Sequence, residues 1–379
     1  MSKGVYLGVD GYARKVKSMY IGVDGVARKI KKAYLGVEGY ARLFYSSGGI
    51  KKVTSSISDV RSTHSGGASA SNGSYAMFAG GGNYFYVDAY NDSLTLSRPS
   101  NLANKANLLC GCGFHGYGVF AGGSSSMGEY FKTVEAYSST LSKQTLSSMS
   151  YARMGAAMAA TTNYLVILGG YIGSGSATLG ETYTANLTKG NSIPDSTGKF
   201  LCGVSFGGRA CFCGGLKANN ETSGWFGYFD DNLTANSCDG ITPRCSLAGA
   251  TVGNYALFGG GDSGSDSSVL STVEAYNSDM TRVMATNLPN AVRELSGVSI
   301  GNYALLGGGR SIISDSTKTY ADVAAYDENL TRTLFSLSSP RYGHVSASVG
   351  NYALFAGGEI ISGSTPSSTK TVEAFQYGG

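Results

Sequence analysis

The stretch Gly253-Asn254-Tyr255-Ala256-Leu257-Phe258-Gly259-Gly260 reads as a tight turn, a short apolar strand and a closing glycine pair. The same close recurs at Gly80-Gly81, Gly122-Gly123, Gly169-Gly170, Gly214-Gly215, Gly307-Gly308 and Gly357-Gly358, so the seven pairs stand 42, 47, 45, 45, 48 and 50 residues apart. A steady period in the forties is the signature of a repeat architecture, in which each repeat is one supersecondary unit. Glycine suits the end of such a strand because the backbone must turn sharply and pass close to its neighbours, where a Cβ would obstruct it.

Working outward from the pair, each unit opens on a small apolar strand such as Val345-Ser346-Ala347-Ser348-Val349. A tight turn follows, often Gly-Asn-Tyr, then the apolar strand that ends in glycine, then a loop of variable length. A third strand of the Thr-Val-Glu-Ala-Tyr type spans 133–137, 272–276 and 371–375. Its terminal aromatic recurs as Tyr90, Tyr137, Tyr183, Phe229, Tyr276, Tyr326 and Phe375 and reads as core. A polar turn and a fourth strand lead to a recurrent arginine, at Arg61, Arg153, Arg244, Arg293 and Arg341. Seven four-stranded units of this length predict an all-β fold, a seven-bladed β-propeller over 46–379. The last unit stops after its third strand, at Phe375. Residues 50–57 precede Arg61 much as 330–337 precede Arg341, so they are expected to supply the missing outer strand and remove an open edge.

The bulk numbers agree. The 379 residues include 56 Gly and 6 Pro, and only 14% are charged, which excludes a disordered polyelectrolyte. Residues 1–45 carry a net +6 (nine Lys/Arg against Asp10, Asp24 and Glu38) within a chain of +4, leaving −2 for the remainder. That basic piece reads as a solvated strand face, and no nucleic-acid partner is expected. Seven cysteines include the pairs Cys110/Cys112 and Cys211/Cys213 in apolar strands, which read as buried thiols near the propeller axis and not as a zinc site. No secretory signal and no apolar run of membrane-spanning length is visible, so neither export by that route nor membrane insertion is expected.

A second repeat lies in the basic piece. Tyr6-Leu7-Gly8-Val9-Asp10-Gly11, Tyr20-Ile21-Gly22-Val23-Asp24-Gly25 and Tyr34-Leu35-Gly36-Val37-Glu38-Gly39 recur every 14 residues, and each runs on into Ala-Arg. Asp-Gly between alternating apolar residues is a strong hairpin signal, so 1–45 is expected to form three short β-hairpins.

Two resemblances follow from these residues. Asn254-Tyr255-Ala256-Leu257-Phe258-Gly259-Gly260 and Thr272-Val273-Glu274-Ala275-Tyr276 resemble Kelch repeats, over 50–379, although the Kelch tryptophan late in the unit is absent. The 14-residue units resemble the Gly-Val-Asp-Gly-Val-Ala-Arg-Lys-Ile-Lys-Lys tandem repeats of phage and prophage structural proteins of Gram-positive bacteria, most closely at 22–32. The second resemblance implies a virion protein of the tail or baseplate, assembled in the bacterial cytoplasm. In that reading Tyr6, Arg14, Tyr20, Arg28, Lys29, Tyr34 and Arg42 attach it to other tail or baseplate proteins, and a homotrimer is one assembly open to it.

Catalytic chemistry is not evident. A copper oxidase on this scaffold needs Tyr, Cys and two His at the axis, whereas the chain has three His in all. His64 and His344 each stand three residues after an arginine, which reads as one structural role repeated by descent. The sialidase Asp-box turn is missing, and Gly80-Gly81-Gly82 and Gly259-Gly260-Gly261 lack the Lys-Ser/Thr and helix of a phosphate loop. No cofactor or metal is expected.

Function should therefore lie in the loops after the second strands (82–86, 124–131, 171–181, 216–225, 261–271, 309–320 and 359–370), which vary while the other turns repeat. Their Ser, Gly, Asn and Tyr resemble a paratope. The candidate ligand-binding residues are Tyr84, Tyr130, Phe131, Tyr171, Asn219, Asn220, Trp225, Asp262, Arg310, Tyr320 and Glu359. The expected function is host adhesion by a phage tail receptor-binding protein, with a host surface glycan or protein as ligand. A glycan lyase or hydrolase and an intracellular Kelch interaction scaffold are the alternatives.

Overall fold

The computed structural model describes residues 49–378, without 196, 265–267, 314–315 and 363–364, and the backbone of six strands between 6 and 46. No helix occurs among the described residues. Seven four-stranded antiparallel sheets form a seven-bladed propeller. Blades 1 to 7 open on the first strands Ala68–Ser71, Cys110–Phe114, Ala157–Ala160, Cys202–Phe206, Ala248–Val252, Ser296–Ile300 and Val345–Val349. These strands neighbour one another in a ring that closes from Val345–Val349 back to Ala68–Ser71.

Blade 5 shows how sequence becomes position. Its second strand, Tyr255–Gly259, pairs with Ala248–Val252 on one side and Val273–Asn277 on the other, and Arg282–Met284 is outermost. Ala248, Ala250 and Val252 are buried while Gly249 and Thr251 between them are half-buried, the period-2 pattern of a strand with one face on the core. Residues 256–259 and 273–276 are buried without alternation, because adjacent blades cover both faces of the middle strands.

The ring closes as the sequence predicts. Ile50–Lys52 pairs antiparallel with Val372–Tyr377, with Lys52 opposite Phe375 and Ile50 opposite Tyr377. The N–H of Val53 extends the ladder to Ala374 O at 2.8 Å. Lys52 Nζ also reaches Glu373 at 2.6 Å. In the basic piece, Tyr6–Val9 pairs with Tyr12–Lys15, Tyr20–Val23 with Val26–Lys29 and Lys32–Val37 with Tyr40–Ser46. The expected turns Asp10-Gly11, Asp24-Gly25 and Glu38-Gly39, and the side chains of Tyr6, Arg14, Tyr20, Arg28, Lys29, Tyr34 and Arg42, lie outside the described residues.

The glycine pairs join blade to blade. The N–H of the second glycine donates to a carbonyl in the segment that leads into the next blade. The bonds are Gly81 to Ala106, Gly123 to Arg153, Gly170 to Gly198, Gly215 to Arg244, Gly261 to Val292, Gly309 to Arg341 and Gly358 to Thr63, all at 2.7–2.8 Å. This alignment corrects the sequence register in two blades. The pairs there are Gly260-Gly261 and Gly308-Gly309, with φ of +68° and +95° and of +67° and +104°, while Gly259 and Gly307 are ordinary strand residues. Both members need glycine. A Cβ on Gly122, Gly214 or Gly260 would lie 2.6–2.7 Å from the accepting carbonyl, and the second glycine adopts a φ that L side chains avoid.

The recurrent arginine completes the joint from the other side. Arg153, Arg244 and Arg341 are fully buried. Each donates to the carbonyl of its own blade's first glycine and to a third-strand carboxylate, Glu181, Glu274 or Glu373. Arg293 does not belong to this set: Val292 holds the equivalent place, and Arg293 points its charge to the loop face. Nor are the two histidines equivalent. His64 stands four residues before its first strand, as the three arginines do, and does their work, with Nδ1 2.7 Å from Gly80 O and Nε2 3.2 Å from Asp88. Arg61 holds the same carboxylate at 2.9 Å. Burial alone would push the Asp88 carboxyl up, but the His64 and Arg61 bonds outweigh it and hold it below the usual range.

His344 instead sits immediately before its strand, where other blades carry Leu109, Leu201, Leu247 and Leu295, packed beside Phe355. The third-strand aromatics add an unforeseen link. The hydroxyls of Tyr137, Tyr183, Tyr276 and Tyr326 donate to Ser100, Ser147, Asp239 and Thr286 carbonyls at 2.6–2.9 Å, tying each blade to the segment that leaves the one before.

Gly123→Ala should cost roughly 3 kcal/mol, from a left-handed φ and a Cβ 2.8 Å from Asn107 O. Gly116→Ala, at φ +78° with nothing within 4 Å, should cost only about 1 kcal/mol, and thermal melts of the two compare them directly. Burial, with the charge of Arg341 beside it, holds His344 at about 3. The unfolded chain binds that proton below about pH 6.5 and the folded chain does not, so stability is lost as pH falls through this window. His344→Leu should therefore lose about 2–3 kcal/mol less than the parent between pH 7 and pH 4.5, read from melting temperatures across that range.

Candidate ligand-binding face

The blade topology puts the loop after each second strand and the segment leading into each first strand on one face of the ring, and the two shorter turns on the other. The turn face is uniform. After the third strand Asn91, Asp230, Asn277 and Asp327 each accept N–H bonds from residues two and four further on. Leu94, Leu233, Met280 and Leu330 take the left-handed position of that turn.

The loop face has a backbone floor. Gly66, Leu108, Gly155, Phe200, Ser246, Glu294 and Gly343, each two residues before a first strand, all adopt φ between +54° and +65°. Six hydrogen bonds of 2.6–3.2 Å run through these seven residues around the axis: Leu108 to Gly66, Gly155 to Leu108, Phe200 to Gly155, Glu294 to Ser246, Gly343 to Glu294 and Gly66 to Gly343. Four of the seven are not glycine, a concentration of strained backbone that tertiary contacts must hold. Because only three carry the glycine signal, the sequence did not reveal this floor.

Above it stand the residues that follow the glycine pairs, among them Ser124, Tyr171, Leu216, Asp262, Arg310 and Glu359, each bridged to the strand-entry segment of its own blade. Three candidates, Asp262, Arg310 and Glu359, thus occupy equivalent places in blades 5, 6 and 7. Arg310 makes two bonds to Glu294, at 2.9 and 2.7 Å, and lies 4.6 Å from the centre of the Tyr342 ring. Tyr342 donates to Glu359 at 2.6 Å, and Ser65 donates to the other oxygen of that carboxylate at 2.9 Å. Burial and the Glu359 bond push the Tyr342 phenol up to about 12. Asp262 faces Arg293 at 3.7 Å. Two short hairpins rise from this sector, Arg310–Ile313 with Ser316–Thr319 and Glu359–Ser362 with Thr365–Ser368.

Blades 1 to 3 are built differently. Tyr84 stacks on Tyr86 at 5.4 Å, and Tyr130 meets Tyr171 edge to face at 5.8 Å. Lys199 lies 4.8 Å from the Tyr171 ring centre. The remaining candidates divide. Asn219 and Asn220 form an exposed loop tip, where Asn219 Oδ1 caps the N–H of Glu221. Phe131 and Trp225 are partly buried against apolar clusters, and Tyr320 is buried with its hydroxyl 3.0 Å from Ser311. These three support the loops from beneath. The expected thiol burial holds in part: Cys110 is buried and Cys112 half-buried on an innermost strand, in one apolar cluster that pushes their thiols up to about 12 and about 11, whereas the buried Cys211 and Cys213 lie one strand further out.

A cavity of about 290 Å³ opens on the opposite, turn-bearing face, lined by His115, Thr161, Thr162, Ser205, Gly207 and Gly208 among others. His115 Nε2 stands 2.7 Å from Thr162 O at its edge.

No protein-family model matches the chain, and no curated protein does. Among solved structures, one described as "Structure of YjhT" superposes with a TM-score of 0.56 at 11% identity, over 84% of this chain and 99% of that one. With 552 solved chains matching, the likeness shows the propeller fold and does not single out an activity.

The charged sector predicts its own behaviour on mutation. Glu294→Gln removes the bidentate partner of Arg310 and should lower the melting temperature by a few degrees, the equivalent of about 1–2 kcal/mol. Screening should weaken that difference at high salt, so melts at low and high ionic strength provide the check.

Proposed function

We propose that this protein is a receptor-binding component of a phage or phage-like tail. In this reading the 14-residue basic hairpins attach it to the particle, and the loop face of a Kelch-like propeller binds a host-surface glycan. The observation that carries the reading is the contrast between the two faces on one scaffold. Blade-to-blade joints and turns repeat from blade to blade, while the loops over the backbone floor differ in length, in charge and in having or lacking a hairpin. A rigid ring with diverse loops on one side suits recognition without requiring catalysis. Tandem basic repeats ahead of it suit attachment at high copy number, where weak contacts multiply into avidity.

A chain beginning at residue 46 retains Ile50–Lys52 and so keeps its seventh blade closed. It should melt where the full chain melts and still bind cells, yet be missing from assembled particles when these are purified and blotted for it. Incorporation of the truncated chain into particles would overturn the attachment role.

A further inference from the structure

The loop face is divided into two unlike sectors. From blade 5 round to Ser65 its arginines and carboxylates are engaged internally, through Asp262 and Arg293, Glu294 and Arg310, then Glu359 with Tyr342 and Ser65. From blade 1 to blade 3 it carries aromatic rings and a methionine: Tyr84 is 41% exposed and Met127 89%, while Tyr130 and Tyr171 are half-buried. We propose that this aromatic sector, built on Tyr84, Met127, Tyr130 and Tyr171, is where the ligand docks, and that the ligand is an uncharged sugar chain. The proposal rests on the receptor-binding reading above and specifies its ligand.

The sector is continuous and held in place before any ligand arrives. Asn83, next to Tyr84, accepts a bond from the N–H of Ser126, so the loops of blades 1 and 2 touch beside Met127. Tyr130 carries the surface on to blade 3 through its contact with Tyr171, whose own hydroxyl donates to Gly173 O at 2.7 Å. Tyr86 backs Tyr84 nearly parallel, at 18°, and Arg61 lies 4.7 Å from the Tyr86 ring centre. Rings fixed in this way lose little freedom on binding. Their faces match the C–H faces of pyranose rings, and Asn83, Ser125 and Ser126 set neutral hydrogen-bonding groups beside them. Charge argues for a neutral chain. A polyanionic glycan needs a cluster of cations turned towards it, whereas in this sector Lys105 and Lys199 lie over the Phe85 and Tyr171 rings, Arg61 holds Asp88, and Glu129 adds an exposed negative charge beside Tyr130.

The test uses the full chain. Cell-wall polysaccharide from Gram-positive strains is split by anion exchange into neutral and anionic fractions, and binding to each fraction and to whole cells is measured. The parent should bind the neutral fraction. Tyr84→Ala, Tyr130→Ala and Tyr171→Ala should each weaken binding by up to about tenfold, the worth of one aromatic contact, with melting temperatures close to the parent's. Tyr84→Phe and Tyr130→Phe keep the rings and should bind as the parent does. If the triple alanine variant binds cells as well as the parent, or if the anionic fraction alone is bound, the sector assignment fails and the receptor-binding reading stands. If the parent binds neither cells nor either fraction, both fail.

Discussion

The propeller depends on one contact repeated seven times: the second glycine of each pair donating its N–H to the carbonyl of the segment that enters the next blade. Four-stranded sheets have no intrinsic reason to stand in a ring, and burial of their apolar faces would tolerate many mutual angles. A hydrogen bond of 2.7–2.8 Å between backbones removes that freedom. It requires two consecutive residues with positive φ and no side chain on the side facing the acceptor, which only glycine supplies without strain. Everything further out inherits its position from this joint. The buried arginines fasten the carbonyl of the first glycine, and the third-strand tyrosines reach back to the preceding blade.

The same rigidity gives the loop face its character. Strand-entry segments that are clamped by neighbouring glycines can hold left-handed conformations at Leu108, Phe200, Ser246 and Glu294, residues that would not choose them unaided. With the floor fixed by backbone bonds, the side chains above it vary without endangering the ring. Blades 5 to 7 use that latitude for a chain of ion pairs and two hairpins. Blades 1 to 3 use it for aromatic rings, exposed at Tyr84 and half-buried at Tyr130 and Tyr171. One scaffold thereby carries two chemically distinct surfaces on one face, while its opposite face stays uniform apart from the cavity beside His115.

Much of this was legible in the residues. The Gly-Asn-Tyr turns, the continuous apolar runs and the terminal aromatics announced four strands per unit, and the likeness of 50–57 to the other fourth strands announced how the ring closes. Residues whose environment comes from other blades were harder to read. Arg293 stands near the same point of the repeat as Arg153, yet it belongs to the loop face, because Val292 fills the arginine site in that blade. His64 and His344 share a spacing from an arginine but not a place in the fold: one substitutes for a buried guanidinium and the other for leucine. Tyr320 and Trp225 look like loop anchors in the sequence, but their rings pack beneath the loops.

By itself the sequence determined the number of blades, the strands within each and the origin of the outermost strand of the seventh, since these follow from short-range turn chemistry and from hydrophobic periods of two or of unbroken apolar runs. Tertiary contacts alone settle which two of three glycines make the joint in blades 5 and 6, which residue holds the first glycine's carbonyl from within, and which sector of the loop face pairs its arginines with carboxylates. Each of these depends on which carbonyl or carboxylate a neighbouring blade brings within hydrogen-bonding distance, and that group lies in another strand or another repeat, beyond the reach of local pattern.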